Sequence, residues 1–211
     1  IGGSHVARFV ESYAETMGVR HCIPVANGTD AIYIALKMAG IGPGDEVITV
    51  ANSWISTSET ISQTGAAPVF VDIDDYFTID VSAIESKITP KTKAILPVHL
   101  YGQMCDMPAL MALAKKYDLR VIEDCAQAHL ANHDGQLAGT FGIAGTFSFY
   151  PGKNLGAYGD AGCIITNDDH LATEFGHHRW GHGSHGRTAA RHRHAGASRC
   201  RRPLRCRRRA A

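Results

Sequence analysis

The first 167 residues alternate short apolar runs with amphipathic helical patterns, and this rhythm most constrains what the chain can fold into. The runs at Glu46–Val50, 69–71, 93–98, 121–122, 145–149 and Gly162–Thr166 read as strands. Between them, residues 30–39 place Ala31, Ile34, Ala35 and Met38 on one helical face. Residues 108–117 do the same with Leu110, Leu113, Ala114 and Tyr117. Further helices are expected over 52–63, entered near a good capping group, and over 81–87. Gly40-Ile41-Gly42-Pro43-Gly44-Asp45 ends the first of these helices and turns the chain. Strands that are apolar throughout, rather than alternating, belong to parallel sheets buried on both faces, and a βαβα order supplies the covering helices. The expected fold class is therefore α/β, a mostly parallel sheet with helices on both faces. Residues 145–149 and 162–166 are expected to be adjacent strands around a glycine-rich loop. Ligands of such sheets bind beyond the carboxyl ends of the strands.

The periodicity ends at Phe175, and the charge divides there as well. The first 176 residues hold 10 lysines and arginines against 20 acidic residues, whereas the last 35 hold 11 arginines and no acid. A segment of Arg, His, Gly and Ala buries too little apolar surface to offset its ordering entropy. The expectation is one folded domain over 1–175 and a disordered tail over 176–211. An arginine-rich arm can grip phosphate backbones. This one has Trp180 as its only aromatic and no lysine, so nucleic-acid binding through the tail is the lesser reading. The tail histidines with Cys200 and Cys206 fit no compact zinc spacing, and no metal site is expected. The six cysteines form no CxxC pair and no disulfide framework, which favours a reducing, cytoplasmic compartment. No apolar run is long enough to span a membrane, and no signal sequence is read in a chain that starts at Ile1.

Two motifs carry the chemistry. The apolar run Leu119-Arg120-Val121-Ile122 delivers Glu123-Asp124-Cys125-Ala126-Gln127-Ala128-His129, and downstream lies Phe147-Ser148-Phe149-Tyr150-Pro151-Gly152-Lys153-Asn154-Leu155-Gly156. A lysine in a glycine-rich loop can form a Schiff base with the aldehyde of pyridoxal phosphate (PLP). A carboxylate at a buried strand end can pair with the cofactor's pyridinium nitrogen, so that the ring acts as an electron sink. Lys153 and Asp124, in this order, point to that cofactor. Lys153 could instead be one more surface lysine, but Gly152, Asn154 and Gly156 crowd it.

Other residues fit the same cofactor with bland alternatives beside them. Gly28 and Thr29, in Ala26-Asn27-Gly28-Thr29-Asp30-Ala31, offer backbone N–H groups, a helix dipole and a hydroxyl to a phosphate, or simply cap a helix. Trp54 follows a strand end and either stacks on a planar ring or belongs to the core. Gln127 can hydrogen-bond the ring hydroxyl or the carboxylate. His129 either orients Asp124 or is a satisfied core histidine. Ser148, set between two phenylalanines that point the other way, either donates to the phosphate or faces solvent.

These residues sit in wider motifs. Gly28-Thr29-Asp30-Ala31, Gly42-Pro43-Gly44-Asp45-Glu46-Val47-Ile48, Pro97-Val98-His99-Leu100-Tyr101-Gly102-Gln103, Glu123 to His129 and the stretch from Ser148 to Gly162 resemble the DegT–StrS family of PLP-dependent sugar aminotransferases. The resemblance covers residues 2 to about 174. It implies the large domain of a fold-type I PLP transferase, without the family's extreme amino terminus and small carboxy-terminal domain. It implies an activity in which glutamate donates an amino group to a nucleotide-linked keto-deoxysugar, with wording closer to members that aminate 3-keto sugars. It implies a homodimer, with Lys153 as the Schiff-base and acid/base residue and Asp124 as the pyridine partner. Gln127 would lie near the ring hydroxyl, Gly28, Thr29 and Ser148 at the phosphate, and Trp54 against the ring. A dehydratase branch of the family carries histidine in place of the lysine, and Lys153 argues against that activity. The alternative is a truncated PLP-binding relative with impaired catalysis.

Overall fold

The structure, a computed structural model, describes residues 3–178. Helix α1 (Ser4–Met17) leads into β1 (His21–Val25), followed by α2 (Gly28–Met38), β2 (Glu46–Val50), α3 (Ser56–Thr64) and β3 (Ala67–Val71). Then come α4 (Val81–Ile84), β4 (Thr92–Ile95), α5 (Met107–Lys116) and β5 (Arg120–Asp124). A small hairpin of β6 (Asn132–His133) and β7 (Gln136–Leu137) precedes β8 (Ala144–Ser148), β9 (Gly162–Thr166) and α6 (Asp169–His178). The main sheet has seven strands in the order β1-β9-β8-β5-β4-β2-β3. Neighbours from β8 to β3 pair in parallel, and β9 alone runs against both its neighbours.

The apolar runs have no polar face because the sheet has none. Val47, Ala94, Ile122 and Ile164 pack with Ile32, Leu36, Ile61 and Phe175 on the side of α2, α3 and α6. The residues next to them, Ile48, Ile95, Val121 and Ile165, pack with Tyr13, Met17, Ile84 and Leu110 on the other. A one-residue slip of any strand would exchange these two sets, so the double burial pins the register. Full burial of each large side chain contributes about 1.5–3 kcal/mol. Cys22, Cys105, Cys125 and Cys163 are buried as free thiols.

The expected α/β class, the parallel pairing and the adjacency of the last two strands are as read from the sequence. Several boundaries differ. Residues 52–55 are a loop and not helix, because α3 begins at Ser56. The expected strand over 93–98 ends at Ile95, since Pro97 has no N–H to continue the ladder, although its carbonyl still accepts the Asp124 N–H at 2.9 Å. The helix over 81–87 divides into α4 and a 3-10 turn, Glu85–Lys87. The expected tail over 176–211 lies outside the described residues from 179 onward, and α6 runs through Phe175 to His178.

Candidate functional site

A cleft of about 840 Å³ opens beyond the carboxyl ends of the parallel strands, and Gly28, Thr29, Trp54, Asp124, Gln127, Ser148 and Lys153 all line it. The strands explain the convergence. Asp124 is the last residue of β5 and Ser148 the last of β8, Gly28 opens the helix that follows β1, and the loops after β2 and β8 carry Trp54 and Lys153.

One end of the cleft is built to hold an anion. The Asn27 side chain caps α2 by accepting the Asp30 N–H at 2.8 Å. Helix geometry leaves the Gly28 and Thr29 N–H groups without intrahelical acceptors, at the positive end of the dipole. Thr29 Oγ1 lies 2.7 Å from Ser56 Oγ, so two hydroxyls meet beside them. Ser148 is buried against Gly28, where a Cβ would come within 2.7 Å of the Ser148 Cβ. Only glycine permits that approach of α2 to β8, and the solvent-facing alternative for Ser148 falls.

The other end is a buried carboxylate. Asp124 is 5% exposed; its Oδ2 accepts the Thr57 hydroxyl at 2.9 Å and its Oδ1 accepts the Ala126 N–H at 3.2 Å. Burial pushes the carboxyl above its ordinary range, against the pull of these two donors and of the nearby Lys153 ammonium. A cationic partner in the cleft would reverse that balance. Gln127 Oε1 accepts the Tyr101 N–H at 2.7 Å, which leaves its amide NH₂ as the group free to donate into the cleft. Tyr101 itself is held in the left-handed region (φ 57°) with its ring 77% exposed. Trp54 is 75% exposed, so its core alternative also falls.

Lys153 sits on the loop between β8 and β9. Its N–H donates to the Tyr150 carbonyl at 2.8 Å, and the loop doubles back so tightly that a Cβ at Gly156 would lie 2.4 Å from the Pro151 carbonyl oxygen. His129 is the satisfied histidine of the two sequence-based alternatives, although it is half-buried and not enclosed in the core. It does not touch Asp124: Nε2 lies 2.9 Å from the Ser148 carbonyl oxygen and Nδ1 lies 2.9 Å from the Tyr13 hydroxyl. Nε2 must therefore carry the proton and Nδ1 accept from Tyr13. Burial, with the Lys153 ammonium adding to it, holds the ring below its ordinary pKa and so neutral. The histidine ties α1 to the end of β8.

Sequence reasoning missed three contributors: Ser56, Thr57 and the anchor at Glu123. Glu123 is fully buried beside Asp124, and its carboxylate accepts N–H groups from Gly139, Phe141 and Gly142 at 2.8 Å each and His99 Nε2 at 3.0 Å. His99, Glu123 and Cys125 bring potential metal-ligand atoms within 4.8 Å of one another. Each Glu123 oxygen already accepts two hydrogen bonds, so the set reads as a polar anchor and not as a metal site. The Glu-Asp pair in the motif hides this division of labour, one carboxylate bracing the sheet and the other facing the cleft.

The mostly parallel seven-stranded sheet with helices on both faces matches the fold of PLP-dependent aminotransferases, and around one cleft it sets a lysine on a tight loop, a buried carboxylate and a helix amino terminus. The model of the DegT/DnrJ/EryC1/StrS aminotransferase family matches residues 1–199, and the chain belongs to that family. It is 54% identical over 171 residues to a pleiotropic regulatory protein of Geobacillus stearothermophilus, covering 81% of this chain and 46% of that protein. It is 52% identical over 171 residues to dTDP-3-amino-3,4,6-trideoxy-alpha-D-glucose transaminase of Micromonospora megalomicea, again covering 81% and 46%. Among solved structures it resembles NtdA of Bacillus subtilis with bound cofactor PMP, at 40% identity and a TM-score of 0.78, over 82% of this chain and 39% of that one. The chain thus spans about half the length of the curated relatives it matches. No described helix is long and apolar enough to cross a membrane.

Proposed function

We propose that this chain is the cofactor-binding large domain of a PLP-dependent aminotransferase that moves an amino group from glutamate to a nucleotide-linked keto-deoxysugar, with the 3-keto position as the site of amination. The observation that carries this reading is Asp124: a buried carboxylate with two donors, opening into a cleft that also holds Lys153. Family membership and the 3-amino-sugar transaminase among the relatives support the reaction class and the ring position.

The residues present fit the cofactor. The Gly28 and Thr29 N–H groups, the Thr29 hydroxyl and the Ser148 hydroxyl would hold a phosphate. Asp124 would pair with a ring nitrogen, the Gln127 amide would donate to a ring oxygen, and the exposed Trp54 ring would cover one face. When bound, the cofactor supplies an aldehyde for an amine and a ring that withdraws electrons. The chain supplies the rest. Asp124 would keep positive charge on the nitrogen, because a buried carboxylate left without a cationic partner is the costlier state. Lys153 Nζ would take and return the proton at the substrate carbon where the amino group is exchanged.

Exposed Trp54, Tyr101 and Tyr150 at the cleft concentrate apolar surface on this part of the molecule, which supports a second copy of the chain packing here. A cytoplasmic location suits the buried free thiols. The test is incubation with PLP, glutamate and a nucleotide-linked 3-keto sugar, followed by chromatographic detection of amino sugar and 2-oxoglutarate. Formation of both by wild type and neither by Lys153→Ala is expected. A Lys153→Ala variant as active as wild type would overturn the assignment. Cofactor capture without turnover would favour the impaired-relative alternative.

A further inference from the structure

Thr57 is 1% exposed on the first turn of α3, and its hydroxyl, unlike those of Ser58, Thr60, Ser62 and Thr64, bonds outside the helix. Thr60 Oγ1 donates to the Ser56 carbonyl at 2.8 Å and Thr64 Oγ1 to the Ile61 carbonyl at 2.7 Å, the local back-bonding usual for such residues in helices. Ser58 and Ser62 likewise bond to carbonyls of Ile55 and Ser58. Thr57 Oγ1 instead reaches across to β5, 2.9 Å from Asp124 Oδ2, with Ser53 Oγ 2.8 Å behind it.

The direction of this chain follows from proton counting. An ionised carboxylate only accepts, so the single hydroxyl proton of Thr57 goes to Asp124 and the Ser53 hydroxyl donates to Thr57. The Thr57 backbone N–H also donates to the Trp54 carbonyl at 3.1 Å. One residue therefore holds a carboxylate through its side chain and, through its backbone, the loop that carries the exposed tryptophan.

We propose that Thr57 is the positioning residue of this site, orienting the Asp124 carboxylate toward the cofactor's ring nitrogen and fixing Trp54 in the same frame, with Ser53 as the donor behind it. The inference rests on the assignment of the cleft to PLP and adds a residue that no motif marks. Thr57 does not touch the reacting atoms; it acts through Asp124. Because the hydroxyl stabilises the charged carboxylate more than the neutral acid, its removal should weaken the pairing of Asp124 with a cationic ring and leave contacts at the phosphate end unchanged.

The experiment compares wild type with Thr57→Val, which keeps the branched shape and removes the hydroxyl, and Thr57→Ser, which restores it. In the cofactor-free chain, ¹³C-detected titration of the Asp124 carboxyl should move to higher pH in Thr57→Val and return in Thr57→Ser. PLP titrated by absorbance should bind Thr57→Val about tenfold more weakly, the scale of one lost hydrogen bond to a charged group. A deaza analogue with carbon in place of the ring nitrogen should bind both proteins alike. Unchanged Asp124 titration with unchanged PLP affinity would overturn the inference and leave the PLP assignment standing. Equal weakening toward PLP and the deaza analogue, with Asp124 titrating as before, would make Thr57 a packing residue and also overturn it. A wild-type chain that takes up no PLP would overturn the cofactor assignment, and the Asp124 titration would still decide whether Thr57 holds the carboxylate.

Discussion

Replacement of Glu123 by glutamine tests how the strand bearing Asp124 is braced, and the cost follows from counting donors. Glu123 Oε1 accepts the Phe141 and Gly142 N–H groups, and Oε2 accepts the Gly139 N–H and His99 Nε2. Glutamine keeps one oxygen, and its amide NH₂ must then face two donors. With the oxygen left on Phe141 and Gly142, the NH₂ meets the Gly139 N–H and His99. His99 could change tautomer and accept at Nε2, but its new Nδ1–H would then face the Cys105 N–H, which donates to Nδ1 at 3.3 Å. At least two buried donors stay unpaired whichever tautomer forms. At about 1–3 kcal/mol for each orphaned group, the expected loss is about 4 kcal/mol. That is a large part of the ~5–15 kcal/mol that holds a domain together. Urea unfolding of the cofactor-free chain, followed by circular dichroism, should show the midpoint falling by about 2 M for a slope near 2 kcal/mol/M. A loss under about 1 kcal/mol would refute the anchor, and the His99–Glu123 pair would have to be replaceable by either amide or carboxylate.

Two further outcomes follow from the same geometry. Burial holds His129 below the ordinary histidine pKa, so on acidification the unfolded chain takes up a proton that the folded chain refuses. Stability present above about pH 6.5 should therefore be lost as pH falls below it, and His129→Gln should flatten the dependence of the urea midpoint between about pH 5 and 7. Gly28→Ala forces a Cβ to within 2.7 Å of the Ser148 Cβ and should lower stability by about 1–3 kcal/mol. PLP affinity should fall with it, checked by thermal melting and absorbance titration, and a fully stable variant with normal affinity would show that α2 and β8 can move apart.

Six strands of the main sheet were legible because a sheet buried on both faces leaves continuous apolar runs, whereas β1, with His21 and Pro24 among its five residues, was not. The lysine and carboxylate motifs were legible because each carries unusual residues in a tight context. The loop at 52–55 was not, since Ser53 and Trp54 have no propensity against helix. Their alternative is local: the Ser53 hydroxyl bonds the Thr57 hydroxyl, and the Trp54 carbonyl takes the Thr57 N–H three residues on. α1 was not resolved as an element because its residues are mostly exposed, with Tyr13 and Met17 alone fully buried. Its tie to the site is a single hydroxyl, Tyr13 on His129, made across 116 positions of sequence. Glu123 and Thr57 escaped for a related reason. A buried carboxylate or hydroxyl is defined by its partners, and those partners come from elements far apart in the chain. His129 was expected either to orient Asp124 or to be a satisfied core histidine, and its position within the motif gave no hint that the Ser148 backbone and Tyr13 would satisfy it.

The most direct test of the central assignment is to incubate the chain with PLP, reduce with borohydride and map the modified peptides by mass spectrometry. The account predicts a pyridoxyl group on Lys153, lost in Lys153→Ala and weakened in Asp124→Asn. A label confined to other lysines, or no label at any PLP concentration, would contradict it.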